Sequence, residues 1–522
     1  MTVVITLHES STMSFIPKMT ALSSISPAFA FLVGIVTILF TLRWWNPVRN
    51  YLRQRSMFIE FAKTLPGPRT VPFFGNALTL WETDKTVLTL TRIGREIKAS
   101  TFRFWLGPAL KIVVTDPHDL EIIMMSSKAT KKDDVYQLMQ PAVVNGLINS
   151  EGAIYRAHKK MLTPIINSNI VVSRYAEIFN YEGSIVVKRL QEKVGTGEFD
   201  MHDHIGFCIG DVAFETLTGM PGTCQMGQPS PFLKLTQEGL HIVCYRMMRP
   251  WLYPDFIFYL TNSGRKFAKI VNDAHTFIDY EIKKRQKEYK PIHSDERTHL
   301  AVVDYMVDHM MRNNDITVEE IRYEIVTLFV GLFETVEGLC CMILLMIAMH
   351  PEVQDKVRAE INSTIKNDYV TDEETTKLEY LDMVIKESIR LFPVGPILPR
   401  KITEEMKLST CTVPKGSSIF MLPYATHRDP KYWKDPEKFI PERFTPENSK
   451  NRHPFAYVPY SAGPRICPGP KYGIVCVKII IAHIVRSFNM STSMKLDTMP
   501  IHTHISTRSV DGYRVTLKKI DF

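Results

Sequence analysis

The sequence predicts a mainly α-helical protein with a small β portion, preceded by one N-terminal transmembrane helix. Three observations lead to this fold class: an uncharged apolar stretch at residues 19–42, long helical patterns such as the one at 316–349, and only short runs of aromatic and β-branched residues. No Gly/Ser-rich linker, repeat or low-complexity tract divides the 522 residues. We therefore expect one large folded unit after the membrane helix.

The N-terminal segment is predicted to anchor the protein in a membrane. Residues 1–18 are a short lead, and residues 19–45 are long enough to cross a bilayer as a helix. The basic residues that follow place the C-terminal part in the cytosol; they are Arg43, Arg49, Arg53 and Arg55. A cleaved signal peptide is the alternative, but no small-x-small cleavage site precedes RWW at 43–45.

The remaining chain divides into a connector and one domain. Residues 46–76 form a basic and proline-rich connector, in which LPGPRTVPFFGN at 65–76 contains too much Pro and Gly for a helix. Residues 77–522 form the domain, and its FRFWLGPALKIVVTDP segment at 102–117 predicts two short strands joined by a turn. Polar, Pro/Gly-marked stretches at 219–231 and 287–300 predict surface loops.

The longest helix is predicted at residues 316–349. Thr317 can cap its N-terminus, and Glu320 completes a capping box. Its second half is apolar almost all round, so it must be buried. Shorter elements are predicted towards the C-terminus, namely strands around Val413, Ile419 and Tyr513 and a helix at 471–488.

The composition excludes several classes of protein. Hydrophobic residues at 45% and charged residues at 23% are ordinary for a folded globule. The net charge of +8, without a basic stripe interleaved with aromatic residues, fits an anionic membrane surface or an acidic protein partner and not a nucleic acid. The eight cysteines form no CxxC pair, which disfavours a zinc ribbon or a disulfide framework.

The segment YSAGPRICPGP at 460–470 places one cysteine in a rigid, cationic loop. The helix that follows directs its positive end towards Cys467, and Arg465 adds positive charge, so both favour the thiolate. A thiolate in such a loop is a nucleophile or a metal ligand. A buried structural cysteine is the alternative.

Five positions in this loop carry a resemblance to a known family. Tyr460, Gly463, Arg465, Cys467 and Gly469 match the pattern aromatic-x-x-Gly-x-Arg-x-Cys-x-Gly, and here the sequence resembles the cytochrome P450 haem-thiolate monooxygenases. Tyr460 departs from the Phe that is usual in that family. The resemblance implies the P450 fold and haem b, iron protoporphyrin IX, whose iron would be bound by the Cys467 thiolate.

A second match lies in KESIRLFP and PERF. Glu387 and Arg390 are three residues apart, where a carboxylate and a guanidinium can pair on one helix face. Alone, this would be a common surface ion pair. In the family the pair is buried and joined by the arginine of PERF, which is Arg443 here. The resemblance therefore implies a structural cluster in which loss of one member leaves a buried charge unpaired.

A third match is GLFETVEG in the long helix. By resemblance this is the oxygen-activating segment, with Glu334 as the catalytic acid and Thr335 as the catalytic hydroxyl. Thr335 lies four residues after Gly331 and can donate to its carbonyl, which opens the helix. Leu332 and Val336 replace the second glycine and second hydroxyl of the family. We therefore expect a smaller pocket next to the helix and a proton relay with one hydroxyl group fewer.

Further matches concern the haem propionates. The Trp-x-x-x-Arg of the family corresponds here to Tyr155 and Lys159, which replaces a bidentate arginine by a point charge. Arg400, after PILP, matches another propionate arginine. Some relatives bind haem covalently through a helix glutamate, but the matching position is Gly331, so we expect no ester link.

The resemblance also implies a function. From residue 65 onwards the sequence is most similar to the fatty-acid ω-hydroxylases and their insect relatives. This implies a single-pass protein of the endoplasmic reticulum membrane, with a cytosolic catalytic domain that hydroxylates or epoxidises a lipophilic molecule with O2. Electrons would come from NADPH through NADPH-cytochrome P450 reductase, with cytochrome b5 as a second partner. The expected substrate-contacting segments are 136–149, 232–249, the helix around Phe333, 394–398 and 502–506.

Two other functions stay open at this point. Leu332 and Val336 favour a haem-thiolate isomerase or dehydratase of lipid peroxides, although Glu334 and Thr335 argue against it. The departures at Tyr155, Lys159 and Leu332 indicate a non-catalytic haem-binding protein as a third possibility.

The prolines beside the cysteine lead to a separate hypothesis. Backbone N–H groups that follow a thiolate ligand donate hydrogen bonds to its sulfur and raise the reduction potential of the metal. Pro468 and Pro470 have no N–H, which leaves Gly469 as the donor among these three residues. We expect a lower haem potential than in a variant without the prolines. The alternative is that these prolines only help to begin the helix, because proline is favoured in the first turn of a helix.

Overall fold

The computed structural model describes residues 27–228, 230–291, 301–503 and 505–520. The predicted lead at 1–18, the first part of the predicted membrane helix at 19–26, most of the predicted loop at 287–300 and one residue of the substrate segment 502–506 lie outside this description. The chain separates into two compact units, Met1–Phe61 and Ala62–Phe522.

The first described helix, α1 (Pro27–Lys63), begins in the predicted membrane segment and continues beyond it. It exposes large apolar side chains, among them Phe31 and Phe40. Its parts Phe31–Thr41 and Trp45–Lys63 meet at a bend of 40° and together have the length and apolarity of a membrane span. The basic half of the predicted connector is therefore helical, whereas residues 65–76 contain no helix.

The second unit is mainly helical. Its α-helices are α2 (Thr86–Ile97), α3 (Pro117–Met125), α4 (Gln140–Val143), α5 (Gly152–Asn167), α6 (Asn169–Gln191), α7 (His202–Thr218), α8 (Pro231–Lys234), α9 (Leu240–Met247), α10 (Asp255–Leu260), α11 (Asn262–Lys287), α12 (Val302–Asn313), α13 (Val318–Met349), α14 (Pro351–Thr364), α15 (Asp372–Thr376), α16 (Glu379–Leu391), α17 (Pro423–Thr426), α18 (Pro446–Ser449) and α19 (Pro470–Ser487).

The β portion consists of short strands. They are β1 (Thr101–Leu106), β2 (Ala109–Val114), β3 (Lys131–Lys132), β4 (Phe199–Asp200), β5 (Leu398–Lys401), β6 (Met406–Lys407), β7 (Thr412–Val413), β8 (Ser418–Met421), β9 (Phe488–Ser491), β10 (Ile501–Thr503), β11 (Thr507–Ser509) and β12 (Arg514–Lys519). The largest sheet has the order β1-β2-β8-β5-β3, and β10 pairs with β11 in a separate hairpin. The predicted two-strand segment is confirmed as the antiparallel pair β1 and β2.

Helix α13 is the centre of the core. Its N-terminus has the predicted capping box, in which the Thr317 side chain accepts from the Glu320 amide and the Glu320 side chain accepts from the Thr317 amide. The helix packs against α7, α11, α16 and α19. It is apolar enough to cross a membrane, but 78% of its apolar window is buried within the protein. We therefore assign it to the protein core, in which Phe333, Glu334 and Val336 are buried.

A buried ionic cluster ties α16 to the segment that precedes the cysteine loop. Arg390 donates twice to the Glu387 carboxylate, at 2.7 and 2.9 Å, and both side chains are fully buried. Arg443, in the short helical turn Pro441–Phe444, donates to the same carboxylate at 3.2 Å. Arg390 also donates to the carbonyls of His427 and Pro436. The cluster thus holds three separate chain segments together.

Candidate active site

The cysteine loop is shaped by its backbone. The Cys467 amide donates to the Tyr460 carbonyl at 3.0 Å. Gly463 has a φ of 65°, and a Cβ at this position would collide with the Met124 carbonyl. Only glycine satisfies both conditions, because a side chain is strained at positive φ. Helix α19 begins at Pro470, so Cys467 immediately precedes its first turn.

Arg465 fastens this loop to the rest of the domain. Its guanidinium donates to the carbonyls of Thr130 at 2.8 Å and Ser150 at 2.5 Å. It also lies over the Tyr155 ring, 3.7 Å from the ring centroid. The arginine of the loop pattern therefore binds backbone acceptors and an aromatic face, which holds the cysteine loop against the segment before α5.

The Cys467 thiol faces an internal cavity. Burial raises the pKa of this thiol, whereas the Gly469 N–H, which donates to the sulfur, and the positive charge of Lys159 lower it. The sequence led us to expect that Arg465 would stabilise the thiolate, but its guanidinium is directed at carbonyl groups. The cation that acts on the sulfur is Lys159.

Tyr155 and Lys159 lie on α5, at the outer side of the cysteine loop. The Tyr155 hydroxyl and the Lys159 ammonium both donate to the Pro464 carbonyl, each at 3.0 Å. Neither side chain belongs to the described residues that line the cavity. In this structure the two residues that were expected at the propionates contact the backbone of the cysteine loop.

The cavity has a volume of about 410 Å³ and mostly apolar walls. Cys467 lies on one wall, and Thr335, Val336 and Leu339 of α13 contribute another. The predicted substrate segments supply further lining residues, namely Met139, Ile148, Met247, Val394, Ile397 and Ile505. Phe333 is different, because its ring stacks on Phe329 in the core, 6.1 Å between centroids, and does not line the cavity.

A cationic edge of the cavity is suited to an anionic ligand. Strands β3 and β5 place Lys132 directly opposite Arg400, and Arg465 lines the same cavity. Like charges opposite each other destabilise a sheet. Burial and the charges of Arg400 and Arg465 hold the pKa of Lys132 well below its usual range. Among the described residues no carboxylate pairs with Lys132 or Arg400, so an anion is the group that would relieve this repulsion.

The donor set therefore fits haem. A thiol on one wall supplies the soft ligand that iron accepts in haem-thiolate proteins. Lys132, Arg400 and Arg465 supply positive charge at the cavity edge for two propionates. The apolar walls between them suit the faces of a porphyrin, and no residue in this set conflicts with the group.

Helix α13 brings a hydroxyl, that of Thr335, to the cavity that Cys467 also lines. The Thr335 hydroxyl donates to the Gly331 carbonyl at 2.7 Å, which is the hydrogen bond that the spacing predicts. Glu334 does not line the cavity. Its buried carboxylate accepts from Ser506 at 2.7 Å and pairs with Arg508 at 2.9 Å. The expected acid and hydroxyl are thus adjacent in the chain, but their side chains lie in different surroundings.

Two residues of the site, Lys132 and Arg508, were not identified from the sequence, whereas Tyr136 and Ser506 lie in the predicted substrate segments 136–149 and 502–506. Lys132 is in a KKDD run that looks like a solvated charge cluster, and nothing local reveals that it pairs with Arg400 across a sheet. Burial raises the pKa of Tyr136, whose hydroxyl hydrogen-bonds Arg400. Arg508 is 174 residues from Glu334 in sequence, so no periodicity could connect them.

Comparison with known proteins decides the family. A sequence profile of the Cytochrome P450 family matches residues 65–513. The chain belongs to the cytochrome P450 family. Membership makes the protein a haem monooxygenase and implies thiolate ligation, a redox partner and a lipophilic substrate.

Several other P450s are similar to this chain over most of their length. Cytochrome P450 4V2 of Mus musculus is 32% identical over 80% of this chain and 82% of its own. Probable cytochrome P450 4aa1 of Drosophila melanogaster is 30% identical over 94% of this chain and 95% of its own. Cytochrome P450 4c3 of the same organism is 28% identical over 96% of both chains. This P450 is therefore similar to members from insects and mammals whose names share the number 4.

The prolines beside Cys467 lead to a prediction for this P450. We take the amide hydrogen bond to the sulfur to be stronger by about 1 kcal/mol in the reduced state. For a one-electron couple, about 59 mV corresponds to a tenfold change in the equilibrium constant, or about 1.4 kcal/mol, so this difference raises the reduction potential by about 40 mV. Pro468→Ile and Pro470→Gln each restore an N–H, so we expect each to raise the haem potential by about 40 mV. A spectroelectrochemical titration measures this. Pro446→Ala, at the exposed start of α18, is the control, and absence of an upward shift in both variants would refute the hypothesis.

Proposed function

We propose that this P450 is a membrane-anchored monooxygenase of the endoplasmic reticulum, with a cytosolic catalytic domain, that hydroxylates or epoxidises a lipophilic substrate such as a fatty acid, hormone, pheromone or xenobiotic. The observation that carries the proposal is the apolar cavity with the Cys467 thiol on one wall and the Thr335 hydroxyl on another. In the reaction one oxygen atom of O2 enters the substrate and the other leaves as water, which consumes two electrons from NADPH and two protons.

In this proposal Cys467 binds the haem iron, and Lys132, Arg400 and Arg465 bind the propionates. Haem supplies O2 binding and O–O bond cleavage, favoured by electron density from the thiolate. The protein residues exclude water through the apolar walls and hold the substrate by shape. Thr335 presents a hydroxyl at the cavity for proton transfer, and its hydrogen bond to Gly331 fixes the orientation of that hydroxyl.

A cationic surface behind the cysteine loop supports NADPH-cytochrome P450 reductase, and cytochrome b5, as electron donors. A groove of about 490 Å³ lies there, and Arg156, Lys159, Lys160 and Arg465 contribute to it together with Pro464. Arg156 and Lys160 are exposed. Such a surface attracts an acidic protein partner. Its residues Pro464 and Arg465 belong to the same loop as Cys467, so a partner bound there would lie close to the site that receives the electrons.

Membrane association is supported within each unit by exposed apolar side chains. In the first unit, α1 exposes Phe31, Leu39 and Phe40. In the second unit, Phe73 is 94% exposed, and Phe256 is 73% exposed. The segments that carry Phe73 and Phe256 are joined by stacked Trp81 and Trp251 rings, 6.1 Å apart. Exposed aromatic groups of this kind are typical of a membrane interface.

The experiment that tests the function uses the full chain reconstituted with reductase. We expect a thiolate-type spectrum of the reduced carbon monoxide complex and NADPH consumption that yields an oxygenated product from lauric acid or another lipophilic probe. The same spectrum with a lipid-peroxide substrate consumed without reductase would instead identify an isomerase or dehydratase. The spectrum without any turnover across the probe set would identify a haem-binding protein that is not a catalyst.

Thr335→Ala is expected to separate NADPH consumption from product formation. A positioned proton donor typically contributes about 100-fold or more in rate, so we expect product per NADPH to fall by about tenfold or more, with hydrogen peroxide released in its place. Thr335→Ser is the matched control, because serine keeps the hydroxyl that donates to Gly331. Equal product yields from the alanine and serine variants would show that the hydroxyl has no such role.

A further inference from the structure

A buried charged cluster lies where the hairpin of β10 and β11 meets α13. Arg508 of β11 pairs with Glu334 at 2.9 Å and with Glu337 at 2.5 Å. Its Nε donates to the Ser506 hydroxyl at 3.1 Å, and that hydroxyl donates to Glu334 at 2.7 Å. The three charged side chains are at most 13% exposed. Arg508 and Ser506 therefore bind both carboxylate oxygens of Glu334.

The cluster extends to the start of α7. The His202 Nε2 lies 3.2 Å from a Glu337 oxygen and 3.1 Å from an Arg508 nitrogen. The His202 side chain is 31% exposed, so this end of the cluster reaches solvent. One arginine thus faces two carboxylates and a histidine, and loss of its charge would leave two buried carboxylates side by side.

The same hairpin forms part of the substrate cavity. Thr503 and Ile505 line the cavity, and the next residue along the chain, Ser506, is the one that donates to Glu334. Thr503 pairs with Thr507 across the hairpin. Arg508 is the residue after Thr507, so it lies close in the hairpin to the residues of the cavity wall. Ile505 on the cavity wall is therefore the chain neighbour of Ser506, which contacts the Glu334 carboxylate.

From this geometry we propose that Arg508 and Ser506 are positioning residues for the Glu334 carboxylate, and that substrate contact with Ile505 reaches this carboxylate through the hairpin. The inference rests on the proposed monooxygenase function and deepens it. Glu334 precedes Thr335, whose hydroxyl lines the cavity, so the position of the carboxylate determines whether it can exchange a proton with that hydroxyl. The hairpin would thus connect substrate binding to proton supply.

Electrostatics gives the direction of the expected pH effect. Burial raises the pKa of Glu334, whereas the charge of Arg508 and the hydrogen bonds from Ser506 and Arg508 lower it. The other titratable groups around Glu334 and Arg508 are Cys244, Glu337 and Cys341 on the helices, His202 at the start of α7, and His502 and Tyr513 on the C-terminal segment. Removal of the Arg508 charge should raise the pKa of Glu334 further.

The decisive variant is Arg508→Gln, compared with Glu334→Gln and the double variant. We expect Arg508→Gln to move the acid limb of the pH profile of product formation to higher pH and to lower product per NADPH by about tenfold. The double variant should behave like Glu334→Gln, because Arg508 acts through Glu334. Ser506→Ala should also move the acid limb of the pH profile to higher pH, but by less than Arg508→Gln does. Arg514→Gln, at the exposed first residue of β12, is the control and should change nothing.

Amide hydrogen exchange tests this inference independently of the proposed function, because the measurement does not depend on turnover. Loss of a charge-assisted hydrogen bond, typically about 1.5–3 kcal/mol, should speed amide hydrogen exchange of residues 501–509 by about tenfold or more in Arg508→Gln. In the wild type, lauric acid should change exchange at 506–509 as well as at 505. A change of exchange at 505 without any change at 506–509, with lauric acid or another probe that binds, would overturn the inference even if the wild type is an active monooxygenase.

The remaining outcomes are also decisive. If Arg508→Gln lowers product yield as much in the Glu334→Gln background as in the wild type, Arg508 has a structural role only and the inference is wrong. If Arg508→Gln does not fold with haem, Arg508→Lys and Ser506→Ala provide the same comparison, with smaller shifts expected. Absence of a product in the wild type would count against the proposed function, while the exchange measurement would still decide the hairpin coupling.

Discussion

Replacement of Cys467 by alanine is expected to remove the thiolate-type band of the reduced carbon monoxide complex and all NADPH-dependent product formation. The thiol is the soft donor on the cavity wall, and α19 begins three residues later with its positive end towards the sulfur. Alanine offers no ligand for iron, so a bound haem would lack both the sulfur ligand and the electron density from it that favours O–O cleavage. Absorption spectroscopy of the purified full chain measures the effect.

Cys411→Ala is the matched control for this experiment. Cys411 is a free, half-buried cysteine in the turn that leads into β7. We expect its replacement to leave the spectrum and the product yield unchanged. If the Cys467→Ala protein had the same Soret and carbon monoxide spectra as the wild type, Cys467 would not be the iron ligand.

Glu387→Gln is expected to destabilise the protein strongly although the residue lies outside the cavity. The glutamine leaves Arg390, fully buried, without its charge partner, and weakens the contact to Arg443. Removal of one member of a buried ion pair typically costs about 3–5 kcal/mol. That is a large part of the total stability of a typical domain, about 5–15 kcal/mol. We expect a matching loss in the free energy of unfolding, measured with urea, and a lower haem content per chain.

The exposed pair Arg92 and Glu96 on α2 provides the control. Both side chains are more than half exposed and their charged atoms are 3.8 Å apart. Glu96→Gln should therefore change the free energy of unfolding by less than about 1 kcal/mol. Similar small changes in the Glu387→Gln and Glu96→Gln proteins would show that the buried cluster does not stabilise the fold.

Several features of the fold could be predicted from local sequence patterns. The capping box at Thr317, the β1 and β2 pair, and the Thr335 bond to Gly331 all depend on neighbours within about ten residues, so their spacing is visible in the chain. The extent of α1 was not predicted correctly. Its apolar and basic parts differ in composition, and composition does not show that helical hydrogen bonding continues from Pro27 to Lys63.

The partners of the charged residues around the cavity could not be predicted from the sequence and were seen only in the structure. Lys159 was expected at the propionates and contacts the Pro464 carbonyl, whereas Lys132, opposite Arg400, lies at the cavity edge. Glu334 was expected to act as the catalytic acid, and its carboxylate pairs with Arg508 and does not line the cavity. The ends of a long side chain can reach several partners, and which partner it meets depends on packing between distant segments.

Family membership and the helical architecture follow from residue order, and the prediction that Cys467 is the thiolate ligand also depends on a short pattern in the sequence. Which charges meet across β3 and β5, and which hairpin binds Glu334, was decided by tertiary packing alone. The physical reason is that electrostatic energy depends on distances in space, and residues 174 positions apart in the chain can be 2.9 Å apart in the fold.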